Sequence, residues 1–140
     1  MEHFKYFIVG GGITADAAVT GIRSIDATGS IALVSAETDK PYDRPPLSKA
    51  LWNGKPVESI WRKTDEQNVA LFLGRTITDI RPETRIAVDS EGLYYSWDKL
   101  LLATGGSPRR LPFGDDQIIY FRTLADYRRL RSLAEKGERF

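Results

Sequence analysis

The sequence predicts an α/β fold, in which a parallel sheet is followed by an antiparallel three-stranded β-meander. Two apolar strands flank an alanine-rich helix within the first 35 residues, and this β-α-β order is typical of adjacent parallel strands in a sheet covered on both faces. Further along, three short segments are separated by closely spaced turn residues, which favours a meander over another helical crossover.

The elements follow in order along the chain. Hydrophobic patterning predicts a strand from Lys5 to Val9, a helix from Ile13 to Ser24 that Thr14 or the preceding glycines cap, and a strand from Ile31 to Ser35. Proline suits the first turn of a helix, so a short helix is expected over 46–52. The remaining predicted elements are strands at NVALFLG, TITDI, RIAV, YYSW, LLLATGG and QIIYF, and a helix from Leu124 to Lys136.

Composition excludes several classes of function. The 140 residues include 20 basic and 19 acidic side chains, a balance that indicates neither a nucleic-acid partner nor an anionic membrane surface. No apolar run is long enough to span a membrane and no signal peptide is evident, so a cytoplasmic location is expected. Cysteine is absent from these residues, and the one histidine, His3, lies near the end of the chain, so no metal site is expected.

The glycine-rich turn after the first strand is the strongest local signal. GGGITA fits the pattern G-x-G-x-x-A, in which the first glycine allows a tight turn and the second lets a pyrophosphate approach the backbone. A small third residue lets the helix pack closely on the sheet, while the helix N-terminus faces the phosphates. The predicted contacts are Gly10, Gly11, Gly12, Ile13, Thr14 and Ala15. The alternative is a turn that only packs the helix.

Glu37 follows the second strand, where an acidic residue is placed to accept hydrogen bonds from a ribose diol. The residues after it depart from a plain NAD-binding domain, because a proline-rich basic loop and the meander replace further β-α units. The sequence therefore predicts a dinucleotide site in a Rossmann-like sheet, with the identity of the dinucleotide to be decided by the later motifs.

Those later motifs carry a family resemblance. GGGITADAA, Glu37, PYDRPPLSK at 41–49 and WDKLLLATGGSPRRLP at 97–112 together resemble the FAD-binding segment of the FAD-dependent pyridine nucleotide-disulfide oxidoreductase superfamily. They most closely resemble its ferredoxin reductase, rubredoxin reductase and apoptosis-inducing-factor-like branch. The resemblance spans the chain and implies the FAD/NAD(P)-binding type of Rossmann-like fold, with FAD as cofactor. It also implies an NADH or NADPH donor bound by a domain not present in this chain, and a ferredoxin- or rubredoxin-type iron-sulfur carrier as acceptor.

The resemblance also implies roles for single residues. Arg44 would contact a phosphate of FAD, and Lys49 would lie close to the isoalloxazine ring, where its ammonium group stabilises negative charge on reduced flavin and makes it the expected catalytic residue. Ile77 would contact the adenine through its backbone. Further FAD contacts are implied for Ala103, Thr104, Gly105 and Arg122. Considered without the family, these positions fit a solvated basic loop, an ordinary core residue and a strand end followed by a turn.

The expected organisation is therefore a piece of a longer reductase that is inactive alone. Residues 1–113 are expected to form the N-terminal part of an FAD-binding domain, and 114–140 a strand and helix that lead to an NADH-binding domain. Because no cysteine is present, electrons are expected to leave the flavin for an external carrier and not through a protein disulfide. Two alternatives stay open: a non-catalytic nucleotide-binding module, and an NAD-binding oxidoreductase without flavin.

Overall fold

In the computed structural model, which describes residues 1–137, six strands form one sheet. The strands are β1 (Glu2–Val9), β2 (Ile31–Ser35), β3 (Ala70–Leu73), β4 (Ile77–Arg81), β5 (Ile86–Asp89) and β6 (Tyr94–Leu102), and the helices are α1 (Ile13–Ile25) and α2 (Leu124–Glu135). The spatial order is β3-β2-β1-β6-β5-β4. Strands β3, β2, β1 and β6 run parallel, whereas β5 is antiparallel to both β6 and β4. A parallel sheet joined to a three-stranded meander is the predicted fold, which is confirmed.

The residues fall into two compact units. The first unit consists of Met1–Tyr42 and Trp61–Gly105, which include the whole sheet and α1; the second consists of Asp43–Ile60 and the chain from Gly106 onward, which includes α2. Among the described residues, four short 3₁₀ helices lie between the longer elements, at Pro45–Ser48, Val57–Ile60, Thr64–Glu66 and Asp115–Gln117. Within residues 1–137, no helix has both the length and the apolar character needed to cross a membrane.

Side chains of β1 and β2 are buried on both faces of the sheet, as their apolar sequences predict. Alternate residues point to opposite faces, so Phe7 and Ile8 belong to different clusters. One face packs beneath α1, with a core of Ile8, Ala15, Val19, Ile31 and Leu33. The other face packs with side chains of the meander, with a core of Phe4, Phe7, Val9, Ala32, Val34, Ala87, Tyr95 and Trp97.

Helix α1 begins at the glycine turn and ends at an aspartate-capped loop. Gly12 is the N-cap residue and no side chain caps the helix, so the cap comes from the glycines and not from Thr14. At the other end, the Asp26 carboxylate accepts hydrogen bonds from the Gly29 N–H at 2.8 Å and from the Lys5 ammonium at 2.7 Å. These bonds close the turn that returns the chain to β2.

The second unit has its own small core. Leu47, Leu51, Ile60, Leu124 and Tyr127 are buried there, and the Trp52 ring packs edge-on against the Tyr127 ring with centroids 5.6 Å apart. Helix α2 starts with a capping box, in which the Thr123 side chain accepts from the Asp126 N–H while the Asp126 carboxylate accepts from the Thr123 N–H. The predicted helix from Leu124 is confirmed.

Three predicted elements differ in the structure. YYSW and the following leucines form one strand, β6, because its pairing with β1 continues from Tyr95 to Leu102; Tyr94, Tyr95 and Ser96 also pair with β5 on the other side. QIIYF is not a strand, since its apolar side chains instead line a groove of the second unit together with Trp52 and Leu133. The helix expected over 46–52 is a 3₁₀ helix at Pro45–Ser48 followed by irregular turns, because Lys49, with a φ of −135° and a ψ of −93°, leaves the helical backbone conformation.

Candidate functional site

The first glycine of the fingerprint lies against the strand end of the second motif. Gly10 has a φ of 126°, and its N–H donates to the Val34 carbonyl at 2.8 Å while the Ala103 N–H donates to Val9 at 2.7 Å. A Cβ built at Gly10 would overlap the Ala103 carbonyl oxygen and lie 2.5 Å from the Ala103 carbonyl carbon. The structure thus brings Gly10 and the Ala103-Thr104-Gly105 segment together at the carboxyl ends of β1 and β6, where ligands bind in open α/β sheets.

The next two glycines have different surroundings. A Cβ at Gly11 would collide with Ser35, whose own Cβ would be 2.7 Å away. A Cβ at Gly12 would meet no atom within 4 Å, and the φ of Gly12 is an ordinary −88°. Packing therefore accounts for glycine at positions 10 and 11. At position 12 the missing side chain leaves open space in front of α1, as the approach of a phosphate requires.

The first turn of α1 offers backbone donors to that space. The first bond of the helix runs from the Asp16 N–H to the Gly12 carbonyl at 3.1 Å, so the N–H groups of Ile13, Thr14 and Ala15 precede the helical ladder. Ile13 and Thr14 are exposed, whereas Ala15 is fully buried against the sheet. The small side chain of Ala15 allows the close packing that the fingerprint predicts, and the positive end of the helix dipole faces outward.

Asp16 would oppose an anion at this helix end, but its charge is compensated. Asp16 is 4% exposed, and its carboxylate accepts from Arg62 Nε at 2.8 Å and from Thr64 Oγ1 at 2.6 Å, so a guanidinium offsets its charge. Sequence reasoning missed this cluster, because Arg62 and Thr64 lie 46 and 48 residues from Asp16.

Glu37 lies just beyond β2, and both its backbone and its carboxylate take part in hydrogen bonds. Its carbonyl accepts from the Gly74 N–H at 3.0 Å, its N–H donates to Ser35 Oγ at 3.3 Å, and its carboxylate oxygen Oε2 accepts from the Tyr42 hydroxyl at 2.6 Å. Tyr42 is 4% exposed. The predicted ribose acceptor is therefore present at the end of β2 with an ordered carboxylate, whose hydroxyl partner the sequence analysis did not identify.

Ile77 follows a segment that runs alongside Glu37. The N–H groups of Gly74 and Arg75 donate to the carbonyls of Glu37 and Ser35, at 3.0 and 2.9 Å. Two residues later, Ile77 begins β4 with a half-buried side chain packed on the core. The side chain thus has a structural role, while the predicted contact between the Ile77 backbone and an adenine stays a prediction.

A buried ionic cluster links the segment at residues 74–75, which runs alongside Glu37, to the meander. Asp89 accepts from the Tyr95 hydroxyl at 2.6 Å and from Arg75 at 3.0 Å, while Arg75 also pairs with Glu91 at 2.9 Å. Burial alone would raise the pKa of Asp89, but hydrogen bonds from Tyr95, Arg75 and two backbone N–H groups, those of Leu93 and Glu91, lower the pKa to about 2. Burial and the Asp89 bond raise the pKa of Tyr95 to about 12.

The three predicted residues of the second unit include one contacting pair. Arg44 donates through Nη1 to the Arg122 carbonyl at 2.9 Å, so the structure brings the predicted phosphate contact together with the backbone of the predicted FAD contact. Lys49 is exposed at the end of the 3₁₀ turn, with its N–H bonded to Pro46 at 3.1 Å. Their predicted contacts with FAD stay predictions.

Four aromatic residues do not form one stacking set: Tyr42, Trp52, Trp61 and Trp97. Tyr42 and Trp61 pack against each other, whereas Trp52 packs against Tyr127 and Trp97 against Phe7. Their role is packing, as expected for scattered aromatic residues.

Residues 4–139 match the family model described as pyridine nucleotide-disulphide oxidoreductase. The chain is 33% identical to apoptosis-inducing factor 1, mitochondrial, of Dictyostelium discoideum, over 98% of this chain and 30% of that protein. It is 36% identical to putidaredoxin reductase of Pseudomonas putida, over 85% of this chain and 31% of that protein. The crystal structure of a covalent putidaredoxin reductase-putidaredoxin complex matches 94% of this chain and 34% of the solved chain with a TM-score of 0.81 and 34% identity. The chain therefore spans about a third of the length of these relatives.

Proposed function

Because the chain belongs to the pyridine nucleotide-disulphide oxidoreductase family, we propose that it is the N-terminal FAD-binding part of a flavoprotein reductase. The longer protein would pass electrons from NADH or NADPH through FAD to a small iron-sulfur carrier of the ferredoxin or rubredoxin type. One relative is named for its action on putidaredoxin and a solved neighbour holds that partner, which supports an electron carrier as acceptor. The absence of cysteine from the 140 residues agrees with transfer to an external carrier.

The observation that carries the proposal is the glycine turn. Gly10 and Ala103 are in contact at the carboxyl ends of two parallel strands, and open space at Gly12 lies in front of the donors of Ile13 to Ala15. This arrangement fits a pyrophosphate, which would accept hydrogen bonds from the helix N-terminus. Glu37, at the end of β2, fits the ribose hydroxyls of the same dinucleotide.

The resemblance supports further proposed contacts with FAD. Ile77 would hold the adenine, the backbone at Thr104 and Gly105 would approach the cofactor, and Arg44 and Arg122 would hold phosphate. Bound FAD supplies the chemistry by accepting a hydride and releasing single electrons. Lys49 would keep its ammonium group near the flavin ring and stabilise negative charge there.

We propose that residues 1–113 form part of the FAD-binding domain and that 114–140 lead to a domain for the nicotinamide nucleotide. The relatives, about three times as long as this chain, support this organisation. The cytoplasmic location expected from the sequence stays a prediction, since one relative is named as mitochondrial.

Titration separates this proposal from its alternatives. The chain is titrated with FAD and, separately, with NADH, and binding is followed by flavin fluorescence and by calorimetry. We expect saturable FAD binding and no NADH binding. Binding of NADH without FAD would favour an oxidoreductase that lacks flavin. Absence of FAD binding both by this chain and by a longer form of the protein would contradict the proposal, whereas FAD binding without turnover in the longer form would favour a non-catalytic module.

A further inference from the structure

Tyr42 is fixed independently of its hydrogen bond to Glu37. The Tyr42 side chain is almost fully buried, and its ring lies edge-on against the Trp61 ring, with centroids 6.2 Å apart and ring planes at 89°. The backbones of Tyr42 and Trp61 also form an isolated antiparallel bridge. The phenol oxygen therefore has a defined position before any bond to Glu37 is considered.

Glu37 is fixed along its backbone. Its carbonyl is bonded to Gly74 and its N–H to Ser35 Oγ, and Ser35 in turn borders the glycine turn, because a Cβ at Gly11 would lie 2.7 Å from Ser35 Cβ. With the backbone held, the remaining freedom of Glu37 lies in its side-chain torsions. The 2.6 Å bond from Tyr42 to Oε2 restricts those torsions.

We propose that Tyr42 is a positioning residue, which orients the Glu37 carboxylate for the ribose diol of the adenosine half of the dinucleotide; this inference rests on the proposed function. A carboxylate accepts two hydrogen bonds from adjacent hydroxyls only when its oxygens face both of them. An acceptor that is already oriented loses less rotamer freedom when the ligand binds. A rival interpretation is structural: the bond fastens Tyr42 to Glu37 beyond the end of β2 and has no effect on sugar recognition.

Discrimination between sugars tests the two interpretations. Dissociation constants for ADP and 2′-deoxy-ADP are measured on the unaltered chain, on Tyr42→Phe and on Glu37→Gln. We expect the unaltered chain to favour ADP by about tenfold, the effect of one hydrogen bond to a charged acceptor. In Tyr42→Phe and in Glu37→Gln we expect the preference to fall to about threefold or less. Tyr94→Phe, which removes the hydroxyl of an exposed tyrosine of β6, serves as the matched control and should keep the full preference.

A double-mutant cycle on FAD affinity adds a second test. Tyr42→Phe should weaken FAD binding about fivefold in the unaltered chain and less than about twofold in the Glu37→Gln background, because Tyr42 acts through Glu37. An equal loss in both backgrounds would overturn the inference. An unchanged preference for ADP in Tyr42→Phe would also overturn it. Partial unfolding does not account for such a result, because it does not alter the ratio of the dissociation constants for ADP and 2′-deoxy-ADP. If the unaltered chain bound neither ADP nor FAD, the proposed function would fail together with this inference; if it bound both and Tyr42→Phe kept the sugar preference, only this inference would fail.

Discussion

Gly10 lies so close to Ala103 that a side chain at Gly10 would overlap the Ala103 carbonyl. The two residues are 93 positions apart in the numbering, yet each belongs to a motif that the sequence analysis selected for cofactor binding. Their contact joins the ends of β1 and β6 and sets the shape of the turn that leads into α1. Glycine at position 10 is therefore required by the fold itself, before any ligand is considered.

Gly10→Ala should destabilise the fold. The new methyl group would meet the Ala103 carbonyl, and alanine would have to adopt a φ of 126°. We expect a loss of about 1–3 kcal/mol or more in the free energy of unfolding, measured by urea denaturation. Gly21→Ala is the matched control, because Gly21 lies within α1 with no atom within 4 Å of a new Cβ, and it should stabilise the fold by about 0.5–1 kcal/mol. Equal effects of the two changes would contradict this explanation.

Gly12→Asp should separate cofactor binding from stability. A side chain fits at this N-cap position, where aspartate is a favourable residue, so the unfolding free energy should stay within about 0.5 kcal/mol of the original. The new carboxylate would face the proposed pyrophosphate, and like charges a few ångströms apart repel strongly, so FAD affinity should fall by at least about tenfold. Gly12→Ser provides the same cap without the charge and should reduce affinity much less. Both affinities are measured by quenching of flavin fluorescence; matching values for the two variants would argue against a phosphate at Gly12.

Local patterns in the sequence predict much of the fold. Short stretches of sequence are enough to predict the β-α-β start, the glycine turn and the position of Glu37. Each depends on the spacing of hydrophobic residues or on the residue types that favour turns. The continuity of β6 is a different case, since its pairing with β1 on one side and β5 on the other depends on where those strands lie in space. The QIIYF segment shows the same limit, because whether an apolar run forms a strand or only packs its side chains into a core depends on tertiary structure.

The sequence predicted the backbone turn of the candidate site, but it did not predict the hydrogen-bond partners of the polar side chains there. Glycines at a strand end predicted the turn before α1, but no pattern in the sequence indicates that Tyr42, five residues from Glu37, donates to it. Arg44 and the carbonyl of Arg122 meet across 78 positions. Such pairs depend on tertiary packing, which a single sequence does not contain.

Lys49→Ala should alter the flavin chemistry that we propose for the full-length protein. The proposed role of the Lys49 ammonium is to stabilise negative charge on reduced flavin, so its loss should slow flavin reduction by about tenfold, corresponding to about 1.4 kcal/mol, and make the flavin potential more negative. Stopped-flow absorbance gives the rate, and a redox titration gives the potential. Lys55→Ala removes another exposed lysine from the second unit and should change neither. If Lys49→Ala left both the rate of flavin reduction and the flavin potential unchanged, the proposed catalytic role of Lys49 would be wrong.

The cluster around Asp89 predicts how stability depends on pH. The folded pKa of Asp89 is about 2, below the ordinary value of 3.8, so folding favours its ionised form. The resulting stabilisation is present above about pH 4 and is lost as the pH falls towards 2. Asp89→Asn should therefore lower the free energy of unfolding at pH 7 by about 3 kcal/mol, because it leaves the guanidinium of Arg75 without its buried partner, and should flatten the decline in acid.

Urea denaturation between pH 2.5 and pH 7 measures this effect. Asp79→Asn is the matched control, because the Asp79–Arg81 pair has a similar distance of 2.7 Å but both side chains are exposed. Exposed pairs contribute about 0–1 kcal/mol, so this variant should follow the unaltered chain in acid. Parallel pH profiles for Asp89→Asn and the unaltered chain would show that Asp89 is not the group whose protonation weakens the fold. A steeper decline in the unaltered chain than in Asp89→Asn would locate the acid sensitivity in the cluster that ties Arg75, and through it the segment beside Glu37, to the meander.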